Sequence, residues 1–362
     1  MWLQGGPGAS STGFGNFVEI GPLDLNQNER DATWLRVADL VFVDNPVGSG
    51  FSYVEQGGNF TTNAAEIATD LVAWAKEWFS RMSRYRKRPF WVFCESYGGK
   101  MTAVFAAALD QAIKKGEIDV DFRGIALGDS WISAIDYVQT WGPFLHSFSM
   151  IDAVGLRQMQ EGANHCQTLV DQAKWGAATG CWGDMEALTE TLTDGVNFYN
   201  VLWKASMPDF AGNRFGMPRS VASQLANGNL STLMNGAVRQ KLGVIPGNVT
   251  WGGQGDEVFN HQWNDFMKPV VDVVDALLSS TNLSVNVYNG QLDLICDTEG
   301  TEKWMSRLKW PGHEKFQSAS RTAFHTKEQA DQTAGFVKSY KKLSMYWIMR
   351  AGHMVKQVEQ LC

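Results

Sequence analysis

At 362 residues the chain is long enough to bury a large core, as one α/β domain with an insertion or as two ordinary domains. Its 44% hydrophobic and 12% aromatic content, with 15 Trp and 36 Gly, is that of a packed protein with many tight turns and excludes disorder. A net charge of -7 and a pI near 5.4, with no basic run longer than Arg84-Tyr85-Arg86-Lys87-Arg88, exclude a nucleic-acid footprint, and no apolar run approaches the roughly 18 residues of a membrane span.

In chain order, Leu40-Val41-Phe42-Val43 is short, β-branched and aromatic and stops at Asp44-Asn45-Pro46, so it predicts a buried strand and a turn. Ile67, Ala68, Leu71, Trp74, Ala75, Trp78 and Phe79 then recur every three or four positions behind Asn63 and Glu66. This spacing predicts an amphipathic helix from Ala64 with a capping box. Phe90-Trp91-Val92-Phe93-Cys94 reads as a second buried strand. After Glu95-Ser96-Tyr97-Gly98-Gly99, the residues Met101, Val104, Phe105, Ala108, Leu109 and Ala112 share one helical face. A strand near Gly124-Ile125-Ala126-Leu127-Gly128 completes the alternation expected of a parallel sheet with right-handed crossovers.

From about Asp136 to Trp263 the rhythm stops, and Ala, Gln, Gly and Met dominate an irregular helical pattern. We expect a single domain with a core of about residues 1–135 and 264–362 and an inserted helical cap of about 136–263. Strand patterns return at Val285-Asn286-Val287-Tyr288 and before Ala351-Gly352-His353. In a two-domain chain those late strands would lack an early sheet to join.

Five cysteines leave at least one without an intrachain partner. Cys166 and Cys181 are spaced to close a short loop, whereas Cys94 and Cys296 sit in apolar runs and are expected to be buried thiols. No Cys/His spacing suits zinc, and no metal or cofactor is expected. Sequons at Asn59, Asn229, Asn248 and Asn282 fall in polar stretches and favour glycosylation on a secretory route, to the outside or to a lysosome or vacuole.

A serine hydroxyl needs a base within hydrogen-bond reach and a carboxylate to orient that base. One solution places the serine on a tight strand-to-helix turn flanked by small residues, facing a helix N-terminus. Cys94-Glu95-Ser96-Tyr97-Gly98-Gly99 stands at such a junction, with Cys94 where the G-x-S-x-G pattern has its first Gly. Taken alone, Ser96 also reads as a helix N-cap. Gly5-Gly6-Pro7-Gly8 lacks the Gly-Lys-Ser/Thr that a phosphate-binding loop requires.

Trp2-Leu3-Gln4-Gly5-Gly6-Pro7-Gly8-Ala9-Ser10-Ser11, Glu19-Ile20-Gly21-Pro22, Asp44-Asn45-Pro46-Val47-Gly48-Ser49-Gly50-Phe51-Ser52-Tyr53 and Glu95-Ser96-Tyr97-Gly98-Gly99 resemble consecutive signatures of the serine carboxypeptidases. Tyr288-Asn289-Gly290-Gln291-Leu292-Asp293 and Ala351-Gly352-His353-Met354-Val355 resemble the segments that carry the Asp and His of that family. Agreement at Ala126-Leu127-Gly128-Asp129-Ser130-Trp131-Ile132-Ser133 and Asp194-Gly195-Val196-Asn197-Phe198-Tyr199-Asn200 points to its retinoid-inducible branch.

The resemblance implies an α/β-hydrolase fold with Ser96 as nucleophile, His353 as base and Asp293 as its orienting carboxylate, in the chain order of that fold. Asp297 is the nearest rival to Asp293, and the Tyr-x-Gly-x-x-Asp spacing of the family selects Asp293. The oxyanion is assigned to the Gly6 and Tyr97 amides, and the substrate α-carboxylate to Gln4, Gly5, Glu19 and Glu95. Acidic side chains bind a carboxylate only when one of them is protonated, which predicts activity at acidic pH on peptide or protein C-termini. Gln4 replaces the Asn common in the family, and Ala9 a frequent Cys, so one familiar disulfide is absent. An acyltransferase on the same scaffold, and a non-catalytic binding protein, are the competing readings.

The ends differ from the family pattern. Met1-Trp2 runs straight into the glycine turn without a leader, and Lys356-Gln357-Val358-Glu359-Gln360-Leu361-Cys362 replaces the usual closing segment. The expectation is a chain truncated at both ends, with weakened stability and activity.

Overall fold

The computed structural model describes residues 1–203, 229–326 and 330–355. Lys356 to Cys362, on which the expectation about the C-terminal segment rests, lie outside the described residues.

The apolar runs become strands β1 (Trp2–Leu3), β2 (Phe90–Ser96), β3 (Phe122–Ser130), β4 (Ser284–Gly290), β5 (Thr322–Phe324), β6 (Gly335–Tyr340) and β7 (Leu343–Ile348). They form one sheet in the order β1-β2-β3-β4-β7-β6-β5. The pairings from β1 to β7 are parallel, and β7-β6-β5 is an antiparallel edge. Register explains the continuous apolar character of the central strands. Leu3, Cys94, Leu127, Val287 and Met345 pair in one row across the sheet, and all are buried to 1% exposure or less.

Helix α1 (Ala64–Arg81) starts where expected, its N-cap Asn63 accepting from the Ala65 and Glu66 amides. Glu66 reaches back to the Thr62 N–H at 2.7 Å, one residue beyond a standard capping box. Helix α2 (Tyr97–Lys114) buries Met101, Phe105, Leu109 and Ala112 and packs on β1, β2, β3 and α1. The basic stretch follows α1 with Arg84, Lys87 and Arg88 exposed, as a solvated helix end should be.

Residues 40–43 depart from expectation. They are half-buried and make one isolated bridge, Trp2 to Phe42, with the Trp2 N–H donating to Val41 at 2.8 Å. The neighbouring β1 is two residues long, and a ladder cannot extend past the strand it pairs with.

Helices α3 (Ala134–Ser147), α4 (Ala153–Asp171) and α5 (Trp175–Thr193) pack in succession, and the Cys166–Cys181 disulfide ties α4 to α5. Helix α6 (Asp256–Phe266) packs on α5, α7 (Val271–Ser280) on α2 and β4, and α8 (Thr298–Met305) on α3 and β4. Met159, Cys166, Trp182 and Phe259 belong to the same apolar cluster as the sheet residues, so the segment inserted between β3 and β4 is seated by a continuous core.

Candidate active site

Strand β2 ends at Ser96, whose φ of 60° and ψ of -132° are rare for a residue with a side chain and turn the backbone abruptly into α2. Crowding explains the glycines around it. A Cβ at Gly98 would lie 2.4 Å from the Leu3 carbonyl, and one at Gly5 would lie 2.5 Å from the Ser96 Cβ. One turn into α2, the buried Lys100 pairs with Asp265 of α6 at 2.9 Å and anchors the helix behind the serine. Burial lowers the Lys100 pKa to about 8 against the opposing pull of Asp265.

His353 follows β7 and Asp293 follows β4, and parallel pairing of those strands brings their ends together. His353 Nδ1 lies 2.8 Å from Asp293 Oδ2, with the two side chains 1% and 0% exposed. An Nδ1–H donated to this carboxylate leaves a lone pair on Nε2. That nitrogen is buried without a hydrogen-bond partner among the described residues. Desolvation lowers the His353 pKa to about 4, so the ring is neutral in mild acid.

Residues 198–201 brace both loops. The Phe198 carbonyl accepts from the Leu294 and Ile295 amides, Tyr199 accepts the His353 N–H at 2.7 Å, and the Tyr199 ring meets the imidazole edge-on at 4.7 Å. Asp297 is equally buried but caps α8 through the Gly300 amide and accepts the Thr140 hydroxyl at 2.7 Å. Its work is structural.

Ser96 and His353 line one cleft with Gly6, Tyr97, Gln4, Gly5, Glu19 and Glu95, while Asp293 lies behind His353. The Gln4 amide donates to Glu19 at 2.9 Å and to Glu95 at 3.1 Å, and its carbonyl accepts the Trp2 indole N–H at 2.8 Å. Three residues from distant parts of the chain thus form one buried polar cluster. Asp44 holds the glycine loop by accepting from Ser10, Thr12 and Phe51, and Gln254 donates to the Pro7 carbonyl at 2.7 Å.

The far wall was not legible in the sequence. Trp182 and Glu186 from α5, Tyr199, Gln254 and Phe259 line the same cleft. The four-residue spacing of Trp182 and Glu186 was the available signal, but nothing local says that their helical face meets a cleft. Burial pushes the Glu186 carboxyl well above the usual range, with Glu190 adding to the shift. Asp293, Cys296 and His353 also bring metal-type ligand atoms within 4.8 Å of one another. Desolvation raises the Cys296 thiol well above its ordinary range.

Comparison with known proteins places the chain in a family. The family model of the serine carboxypeptidases, peptidase S10, matches residues 1–360. The chain is 46% identical to the retinoid-inducible serine carboxypeptidase of Homo sapiens, over 98% of this chain and 80% of that protein. It is 39% identical to serine carboxypeptidase-like 51 of Arabidopsis thaliana, over 100% of this chain and 82% of that protein. The crystal structure of Kex1(delta)p, a prohormone-processing carboxypeptidase from Saccharomyces cerevisiae, superposes with a TM-score of 0.84 at 24% identity, covering 99% of this chain and 80% of that one. That superposition establishes the α/β-hydrolase fold. Because the family match and both relatives run along nearly all of the chain, it belongs to the serine carboxypeptidase family, hydrolases that pass through an acyl-enzyme and act at acidic pH.

Proposed function

We propose that Ser96, His353 and Asp293 are the catalytic triad of a carboxypeptidase that removes C-terminal residues from peptides. The observation that supports this most directly is the buried His353, bonded to Asp293 through Nδ1 and sharing a cleft with Ser96. Ser96 Oγ attacks the scissile carbonyl and its proton passes to Nε2 of His353. The imidazolium returns that proton to the leaving amine as the C–N bond breaks, and a water activated by the same nitrogen hydrolyses the ester. The Gly6 and Tyr97 amides receive the oxyanion of each tetrahedral intermediate.

Gln4, Gly5, Glu19 and Glu95 take the free α-carboxylate. Gln4 ties the two acids into one cluster, and a proton shared there lets carboxyl groups meet a carboxylate without repulsion. With its pKa lowered to about 4, His353 remains a base at the acidic pH that this sharing requires. Residues 136–263 act as a cap that supplies the far wall, a reading supported by Trp182, Glu186 and Phe259 in the cleft. Exposed Asn59, Asn248 and Asn282, and the Cys166–Cys181 disulfide, support glycosylation and a secretory or lysosomal location; Asn229 opens the helix Asn229–Leu233.

The test is release of a C-terminal residue from an N-blocked dipeptide at about pH 5, with Ser96→Ala expected to lose roughly a millionfold in kcat. Folded protein that releases no amino acid, or a fluorophosphonate probe that labels Ser96→Ala as well as the parent, overturns the assignment. Faster transfer of an acyl group to an added alcohol than to water would identify an acyltransferase instead.

A further inference from the structure

Strand β3 ends in Gly128-Asp129-Ser130, and Asp129 has no part in the triad, the oxyanion site or the carboxylate cluster. It is 0% exposed and its φ is 40°, a left-handed backbone that a non-glycine residue keeps only when its surroundings enforce it. Its Oδ1 accepts the Gly290 N–H at 2.8 Å, which clips the end of β3 to the end of β4, three residues before Asp293. Its Oδ2 is buried and has no protein donor among the described residues. The carboxyl group is within hydrogen-bond range of the Asp293 carboxyl, and Oδ2 is the atom left to make that bond.

His353 occupies Oδ2 of Asp293, Oδ1 has the Cys296 amide at a long 3.3 Å, and the Ile295 amide also points at the carboxyl, which leaves room for one more donor. Two carboxyl groups in contact and out of water cannot both ionise, so one retains a proton. The histidine and the backbone amides point at Asp293, which makes it the member that carries the charge.

We propose that Asp129 is a positioning residue, held as the neutral acid, whose Oδ2–H donates to Asp293 and keeps that carboxylate aligned on His353. This rests on the reading of Asp293 and His353 as catalytic partners. Burial, followed by the charge of Asp293, pushes Asp129 well above the carboxylate range, against the opposing pull of His353 and the Gly290 amide. The other ionisable groups facing the pair are Cys296, Tyr288, Tyr199 and Asp297, all pushed up by burial. Protons leave Asp129 and Asp293 as a coupled pair, and loss of the second turns a donor into a repelling anion. The pair therefore sets an alkaline limit on turnover.

Asp129→Asn keeps a donor toward Asp293 and an acceptor for Gly290 but cannot titrate, whereas Asp129→Leu removes the donor. The measurement is kcat against pH on an ester without a free carboxylate, which takes Glu19 and Glu95 out of the profile, alongside thermal melting. Asp129→Asn should keep kcat within a factor of about three in acid and extend activity to higher pH. Asp129→Leu should lose about 10- to 100-fold in kcat with KM little changed, the worth of a hydrogen bond to a charged group. An Asp129→Asn enzyme with the parent's alkaline limb, or with as large a loss as a folded Asp129→Leu enzyme, overturns the proposal. Asp293→Asn is run in parallel: full activity there would remove the triad reading itself, a failure separate from that of Asp129.

Discussion

The two walls of the cleft are built in different ways. On the sheet side, Ser96, His353, Gly5 and Gly6 stand on turns whose backbone is locked by strand pairing and close packing, and Gln4 binds Glu19 and Glu95 into one network. On the inserted side, Trp182 and Glu186 project from a helix and Phe259 from another, held by aromatic contacts such as Trp182 with Phe266 at 4.7 Å. The sheet side places atoms through the backbone, and backbone placement suits the bond-making steps. The inserted side places them through side chains, which can change without disturbing a turn. Substitutions on the first wall should therefore cost turnover, and those on the second should redistribute substrates.

After Ser96→Ala, the largest effect should come from Asp293→Asn, which leaves the shape of the site but deprives His353 of its orienting charge. A loss of about 10⁴ in kcat with a near-parental melting temperature is expected. A loss below tenfold would place the orienting group elsewhere. Glu95→Gln comes next and acts on the carboxylate cluster. Release from peptides with a free C-terminus should fall about 10- to 100-fold in kcat/KM, while hydrolysis of an amidated or esterified analogue changes little. Equal losses on both substrates would show that Glu95 supports the serine turn and does not bind the carboxylate.

The sheet-side acids also give the fold a pH dependence. Desolvation raises Asp293, Asp129 and Asp297 above 3.8, so their protonated forms favour the folded state fully below that value, and the benefit is lost as pH rises through the folded values. His353 is lowered from 6.5 to about 4, so the unfolded state takes up more protons between those values and stability falls as pH drops through that window. Between 3.8 and 6.5 the raised carboxyls outnumber the one lowered imidazole, so the melting temperature should be highest near pH 4 and fall as pH rises. A melting temperature that rises steadily to alkaline pH would contradict the raised carboxyls.

The smallest effect is expected from Glu186→Gln on the inserted wall. The buried carboxyl is protonated in acid and resembles Gln there, so the variant should match the parent at low pH. As pH rises, the parent should gain a preference of about tenfold or less for substrates with a basic side chain, and the variant should not. A change in kcat for every substrate would place Glu186 with the sheet-side machinery and blur the division between the walls.

Much of this architecture follows from local pattern. The runs at β2, β3, β4 and β7 and the helical faces of α1 and α2 are legible because periodicity and capping depend on neighbours in the chain. The serine turn was legible for the same reason, since small residues between a strand and a helix announce the crowding that the structure contains. The run at 40–43 misled because an apolar stretch looks the same whether it lies in the sheet or at its edge. Asp293 and Asp297 are four residues apart and both are fully buried, and only the meeting of the β4 and β7 ends decides which one faces a histidine. Asp129 and Asp293 are separated by helices α3 to α7 and strand β4, so no window of sequence contains their encounter. The chain by itself determined which stretches become strands, helices and tight turns, because those depend on interactions between near neighbours. Tertiary structure alone decided which buried acids come together and which helix faces line the cleft, because charge and burial act through space.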